Sequence, residues 1–275
     1  MALGGLLFLL ASGFSLIFGL MRIANLTHGA LFMLGAYLGV SILKRVPDLW
    51  LAAALAGAAV AVFGFFLERF ILRKLGGNVL GQVLVTLGVS FIIADLCLIV
   101  WGGDPIPIPT PGWLQQPLRL FGLVFPAYRL AVVVIAVIAA VGLYVLIERT
   151  RLGAMIRAGV DDMDMARAVG IPVSRLFTTV FCLGAALAGA GGVIGGPIMS
   201  AYPGLDADML PLALIVVILG GVGSLLGAFV GAFITGFVYT FGVALLPDLA
   251  YVILFLPMIL VIAFRPRGLF GKFAA

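Results

Sequence analysis

Glu148 to Arg175 reads ERTRLGAMIRAGVDDMDMARAVGIPVSR, and it holds nine of the twenty-seven Asp, Glu, Lys and Arg residues of a 275-residue chain. These are Glu148, Arg149, Arg151, Arg157, Asp161, Asp162, Asp164, Arg167 and Arg175. Apolar walls flank the stretch, Tyr128–Ile147 before it and Leu176–Ile194 after it. Unpaired charge is costly in hydrocarbon, so a segment this polar is an aqueous loop between two membrane spans. Within it Ile156, Val160, Met163, Ala166 and Val169 fall at steps of four, three, three and three. That spacing puts them on one face of a helix or of two short helices. Gly153 is placed to open the helix and Gly170 to stop it, with Pro172 barring continuation. An amphipathic helical loop on a membrane surface serves as a docking element; a solvated connector is the plainer alternative.

Working outward, the chain is 64% hydrophobic and 10% charged, where soluble domains carry about 25% charged residues. This is a polytopic, all-α membrane protein. Thirty-seven glycines agree, since small residues let membrane helices approach closely. The net charge of +5 does not imply nucleic acid, because the basic residues lie in separate loops and form no stripe. Cys97 and Cys182 sit in apolar runs without metal or redox spacing, which predicts buried thiols. No Lys or Arg precedes Arg22, so no basic leader region is visible.

About 20 apolar residues are needed to cross a bilayer as helix. Nine segments qualify as candidates: Ala2–Leu20, Ala30–Leu43, Leu49–Leu67, Val79–Trp101, Tyr128–Ile147, Leu176–Ile194, Met209–Leu219, Leu225–Leu246 and Leu249–Phe264. Ala30–Leu43 and Met209–Leu219 are short enough to be half-helices, so the expectation is eight or nine spans in a single transmembrane domain. With the central loop in the cytoplasm, twelve Lys and Arg residues fall inside: Arg22, Arg69, Arg73, Lys74, the five arginines of the loop, Arg265, Arg267 and Lys272. Four fall outside, Lys44, Arg45, Arg119 and Arg129. The positive-inside bias therefore places the loop and the C-terminus in the cytoplasm. The longest outer connection, residues 102–127, carries six prolines and reads as an extended cap, with Trp101 and Trp113 suited to the headgroup layer. Asp104, Asp206, Asp208 and Asp248 also fall outside, solvated or facing a basic partner.

Several polar residues interrupt the apolar runs. Asn25, Thr27 and His28 are suited either to line a substrate pathway or to satisfy a tight interhelical turn. His28 is the only histidine, which excludes a multi-histidine metal site. Thr86 and Ser90 share a helix face, and Asp95 is an acidic residue well inside a span. An intramembrane carboxylate marks a functional site by default. Asp95 is open to three readings: it binds an ammonium group, pairs with Arg22 or a neighbouring helix, or sits in a watery vestibule. Gly220-Gly221-Val222-Gly223-Ser224 is too glycine-dense for good helix. A break there exposes backbone N–H and C=O groups that a zwitterion can use. With Arg22–Gly29 it forms a pair of interruptions, one per half, as expected of a pathway built on internal repeats. Gly35/Gly39, Gly191/Gly195, Gly192/Gly196 and Gly223/Gly227/Gly231 form GxxxG faces, read as packing within the chain before a dimer seam. No phosphate loop, nucleophile elbow or zinc-protease motif is present, so the residues compose no enzyme and no cofactor site.

Three groups of motifs resemble one family. Arg157-Ala158, Asp161-Asp162, Ala166 and Gly170-Ile171 resemble the coupling loop of ABC-importer permeases. Ile17-Phe18-Gly19-Leu20-Met21, Asn25 and His28-Gly29 resemble the opening motif of the high-affinity branched-chain amino acid permease family. Leu219–Ser224 with Gly227, and Arg265-Pro266-Arg267-Gly268-Leu269-Phe270-Gly271, resemble its closing motifs. The similarity covers nearly the whole chain in the family's order; relatives often carry a longer lead before the first span. The resemblance implies a permease subunit in a bacterial inner membrane. Its partners would be a second homologous permease, two cytoplasmic ATPase subunits and an extracytoplasmic binding protein. Arg157, Asp161, Asp162, Met163, Ala166, Arg167 and Gly170 would couple to an ATPase, with Met155 and Met165 as further apolar contacts. The substrate pathway would use Asn25, Thr27, His28, Thr86, Ser90, Asp95, Gly220, Gly221, Gly223 and Ser224. The alternative is a secondary transporter or channel working without ATPases.

Overall fold

The computed structural model describes residues 1–21, 25–120 and 123–271. Arg22 and Lys272 lie outside the described residues, as do the side chains of Arg119 and Asp248. The described chain folds as α1 (Ala2–Met21), α2 (His28–Leu43), α3 (Leu49–Phe66), α4 (Val79–Trp101), α5 (Ala127–Arg149), α6 (Arg151–Asp161), α7 (Met163–Ala168), α8 (Val173–Met199), α9 (Leu205–Gly220), α10 (Leu225–Leu245) and α11 (Ala250–Phe264). All nine expected apolar runs are helical. Six of these helices are long and apolar enough to cross a membrane. The other three, α2, α9 and α11, have 16, 16 and 15 residues. At 1.5 Å per residue each falls short of the ~30 Å hydrocarbon layer.

α1 is the axis of the bundle. Apolar on every side, it buries Leu6, Phe8, Leu10, Phe14, Ile17 and Leu20 at once. It packs on α5, α8, α9 and α10. α8 is the second pillar and meets α1, α2 and α3 through glycines. A Cβ on Gly13 of α1 would stand 2.7 Å from the backbone of Gly184. Gly35 meets Gly189 backbone to backbone, and a Cβ on Gly39 would stand 2.6 Å from Val193. Gly231 faces Val216. The GxxxG faces are thus used inside the chain. Close approach of this kind supplies the van der Waals contact that hydrophobicity cannot supply in lipid.

One end of the bundle gathers α6, α7, the start of α8 and the segment 267–271. The opposite end gathers the C-termini of α2 and α4, where Trp101 Nε1 donates to Ser41 Oγ at 2.8 Å. Trp50 and Trp113 lie 6.4 Å apart between ring centroids. The proline-rich connection is mostly extended, and Ile106 bridges Ala201 at this end. It is not wholly irregular, however. β1 (Leu118–Leu120) and β2 (Leu123–Phe125) form a small antiparallel ladder with Leu118 opposite Phe125, a departure from purely α structure. Arg119 is in register with Val124 and Leu120 with Leu123, and strands of three residues are too short to stand out in sequence.

Candidate functional site

The charged loop folds as two helices. Thr150, not Gly153, opens α6: its Oγ1 accepts from Gly153 N at 3.1 Å. Gly153 is instead a contact point, since a Cβ there would run into the carbonyl of Ile147. Asp162 divides the element, its carboxylate accepting from the N–H groups of Asp164 at 3.0 Å and Met165 at 2.9 Å. This is an N-cap that starts α7 afresh. Gly170 ends α7 with φ of +86°. Ile171 N donates to Ala166 O and Gly170 N to Arg167 O, both at 3.0 Å, the paired bonds of a Schellman stop. Pro172 then leads directly into α8.

The apolar face is only partly turned inward. Ile156 and Ala166 are buried at 2% exposure, and Val160 and Met163 are half-buried. Val169 is 69% exposed, against the expectation that it shares their face. Val169 is the C-cap of α7, past its last helical residue Ala168, and it lies with Met165, 61% exposed, on the free side. Asp164 and Arg167, joined at 3.3 Å, flank them in solvent. Arg157 is occupied at home: its guanidinium donates to Ile147 O at the end of α5 and lies 3.3 Å from Glu148. Gly159 faces Leu20 of α1.

A buried ion pair fastens this end to the bundle. The sequence pattern did not single out Glu68. It lies in a π-helical turn, Leu67–Ile71, that continues α3. Its fully buried carboxylate is 3.0 Å from Arg73 Nη2. Thr178 Oγ1 of α8 donates to it at 2.6 Å, and Arg73 donates to Ser174 O at 2.7 Å. The first turns of α8, a few residues beyond α7, are thereby joined to α3. The available signal was Glu68 itself, an acid among aromatic residues at the end of an apolar run.

Two sets of expected pathway residues come together in mid-bundle. Thr27 Oγ1 donates to Thr86 O at 2.8 Å, and Leu26 N donates to Thr86 Oγ1 at 3.3 Å. Thr27 N donates to Asn25 Oδ1 at 3.2 Å. His28 Nε2 meets Leu10 O, halfway along α1, at 2.9 Å. A carbonyl only accepts, so Nε2 carries the proton and Nδ1 of a neutral ring is an acceptor. His28 Nδ1, Asn25 Nδ2 and Ser15 Oγ are buried and have no hydrogen-bond partner among the described residues. Ser90 is buried on the same side of α4. Asp95 is not: it lies about 140° around the helix from Ser90 and is exposed. It makes no hydrogen bond or ion pair among the described residues, and Arg22, the partner considered for it, lies outside them.

The glycine cluster lies elsewhere. A Cβ on Gly19 would stand 2.6 Å from Gly223, and Gly223 also faces Val160 of α6. His28 thus meets α1 at Leu10 and Gly223 meets it at Gly19, about 13 Å apart in depth. Two of the carbonyls at the break are engaged by the C-terminal segment. Leu269 N donates to Leu219 O at 2.9 Å and Phe270 N to Gly220 O at 3.0 Å. The two closing motifs thus form one unit, with Ser224 Oγ capping α10 through Gly227 N at 3.0 Å. At the opposite end Tyr202 donates to Asp208 at 2.6 Å beside a cavity of about 130 Å³ that Tyr239 and Leu254 also line.

Long apolar helices, polar groups buried at mid-depth and a partly exposed helix pair at one end define a multi-pass membrane permease. Residues 1–262 match the model of the family described as branched-chain amino acid transport system / permease component, and the chain belongs to that family. It is 30% identical over 279 residues to the high-affinity branched-chain amino acid transport system permease protein BraD of Pseudomonas aeruginosa, covering 96% of this chain and 91% of that one. It is 27% identical over 287 residues to LivH of Escherichia coli, covering 98% and 92%. A weaker likeness, 28% over 191 residues, links it to the galactofuranose transporter permease protein YtfT of Escherichia coli, covering 63% and 55%. No solved structure matches.

Proposed function

We propose that the chain is the permease subunit of an ATP-driven importer for branched-chain amino acids or a related small polar solute. It forms one permease domain over residues 1–275 in a bacterial inner membrane, with α6–α7 and the C-terminus in the cytoplasm. Two ATPase subunits, a second homologous permease and an extracytoplasmic binding protein complete the importer. The observation that carries this is the α6–α7 element, anchored to α1 by Gly159 and to α5 by Arg157 while Met165, Asp164, Arg167 and Val169 face outward. Arg157, Asp161, Asp162, Met163, Ala166, Arg167 and Gly170 build and present this surface to an ATPase.

Closure of the ATPases moves α6–α7, and the joint at Glu68 and Thr178 carries the motion into α8 and α3 together. Substrate passes Asp95, then the buried polar groups of Thr86, Ser90, Asn25, Thr27 and His28. The open Asn25 Nδ2 and His28 Nδ1 supply a donor and an acceptor. Gly220, Gly221, Gly223 and Ser224, packed against Gly19 and the C-terminal segment, form the cytoplasmic gate. Nine crossings would leave residue 2 outside and eight would leave it inside, and a cysteine-accessibility label at residue 2 distinguishes them.

The test is purification in mild detergent after co-expression with the chromosomal neighbours, followed by mass spectrometry and an ATPase assay. Co-purifying ATPases and a second permease, lost on disrupting residues 161–170, is the expected result. A lone chain that passes solute in liposomes without hydrolysis would replace this reading with that of a channel or secondary transporter.

A further inference from the structure

α4 and α5 are equally bare, each with 22% of its apolar span buried. Their exposed faces differ in kind. α5 shows Val134, Val137, Ile138, Val141 and Val145 to the outside, a surface that lipid covers well. α4 shows Phe91, Ile92, Leu96 and Ile99, and among them Asp95. Asp95 precedes Trp101 by six residues, about 9 Å along the helix. An aspartate side chain is too short to reach the headgroups from that depth, and charged residues within membranes face water or a polar partner. This chain's own described residues offer it neither hydrogen bond nor ion pair.

We propose that the Asp95 face of α4 is one wall of a water-filled passage whose other wall is the second permease subunit, and that Asp95 holds the ammonium group of the solute there. The second subunit rests on the importer reading given above; the water and the negative charge at this face do not. Charge complementarity selects the occupant: the site attracts a cation and is closed by protein, whereas lipid tails would leave the carboxylate unsolvated. The apolar residues beside it suit an aliphatic side chain on the same solute.

The test uses the chain in its native membrane with its partner subunits, Cys97 and Cys182 being replaced by Ala. Ile92→Cys and Ile99→Cys on α4 are compared with Ile138→Cys and Val141→Cys on α5, using membrane-impermeant cationic and anionic thiol reagents. The α4 positions should react at least tenfold faster than the α5 positions. The cationic reagent should be favoured severalfold at Ile92→Cys and Ile99→Cys, and Asp95→Asn should abolish that preference. A photo-reactive side chain at Leu96 should give an adduct with a homologous permease chain. Equal inertness on both helices, absence of charge preference, or adducts with lipid alone would overturn the proposal. If α4 labels as expected while no ATPase co-purifies, the passage stands and the importer reading fails.

Discussion

Replacing Arg73 by Ala tests the buried joint between α3 and α8. In the wild type the Glu68 carboxylate is fully buried, 3.0 Å from Arg73 and 2.6 Å from the Thr178 hydroxyl. Removing one partner of a buried ion pair costs about 3–5 kcal/mol, because the other charge is left without compensation. Arg73 keeps 29% of its side chain exposed, so water can partly replace it and the lower limit, about 3 kcal/mol, applies. That corresponds to roughly a 150-fold change in the folding equilibrium. Thr178→Val removes one hydrogen bond to a charged acceptor and should cost less, about 1.5–3 kcal/mol. Glu68→Leu combined with Arg73→Leu removes both charges and should recover most of the loss. Unfolding in mixed dodecyl maltoside and SDS micelles would measure all three. An Arg73→Ala protein within about 0.5 kcal/mol of wild type, the range of an ordinary surface change, would refute the claim that this pair joins the two helices.

Gly35→Leu places a side chain against the backbone of Gly189; α2 and α8 must separate, and overpacking of about 1–3 kcal/mol or more should appear as a lower yield of monodisperse protein. Asp162→Ala removes the cap that starts α7 and should cost about 1 kcal/mol locally, read as faster amide exchange over residues 163–168 with the spans unchanged. Met165→Asp with Val169→Asp alters only exposed positions, so expression and thermal stability should hold while ATPase co-purification falls at least tenfold. Retained co-purification would remove these two residues from the coupling surface.

What was legible in sequence was set by short-range physics. Apolar runs of 15–27 residues became helices because a backbone in lipid must satisfy its own hydrogen bonds, whatever its neighbours. Gly170 stopped α7 because the left-handed turn there favours glycine. The position of α6–α7 between α5 and α8 followed from the order of charged and apolar runs. The faces of those helices were decided only by tertiary structure. Thr27 meets Thr86, 59 residues away, and Glu68 meets Thr178, 110 residues away. No local pattern encodes such a partnership, since in an all-apolar helix every face looks alike to a periodicity count. For the same reason Thr86 and Ser90 turned inward while Asp95 turned outward, and Val169 left its expected face because α7 ends at Ala168 before it. Sequence determined that these groups would be in or beside the membrane; packing determined which of them share a site and which remain open to a partner.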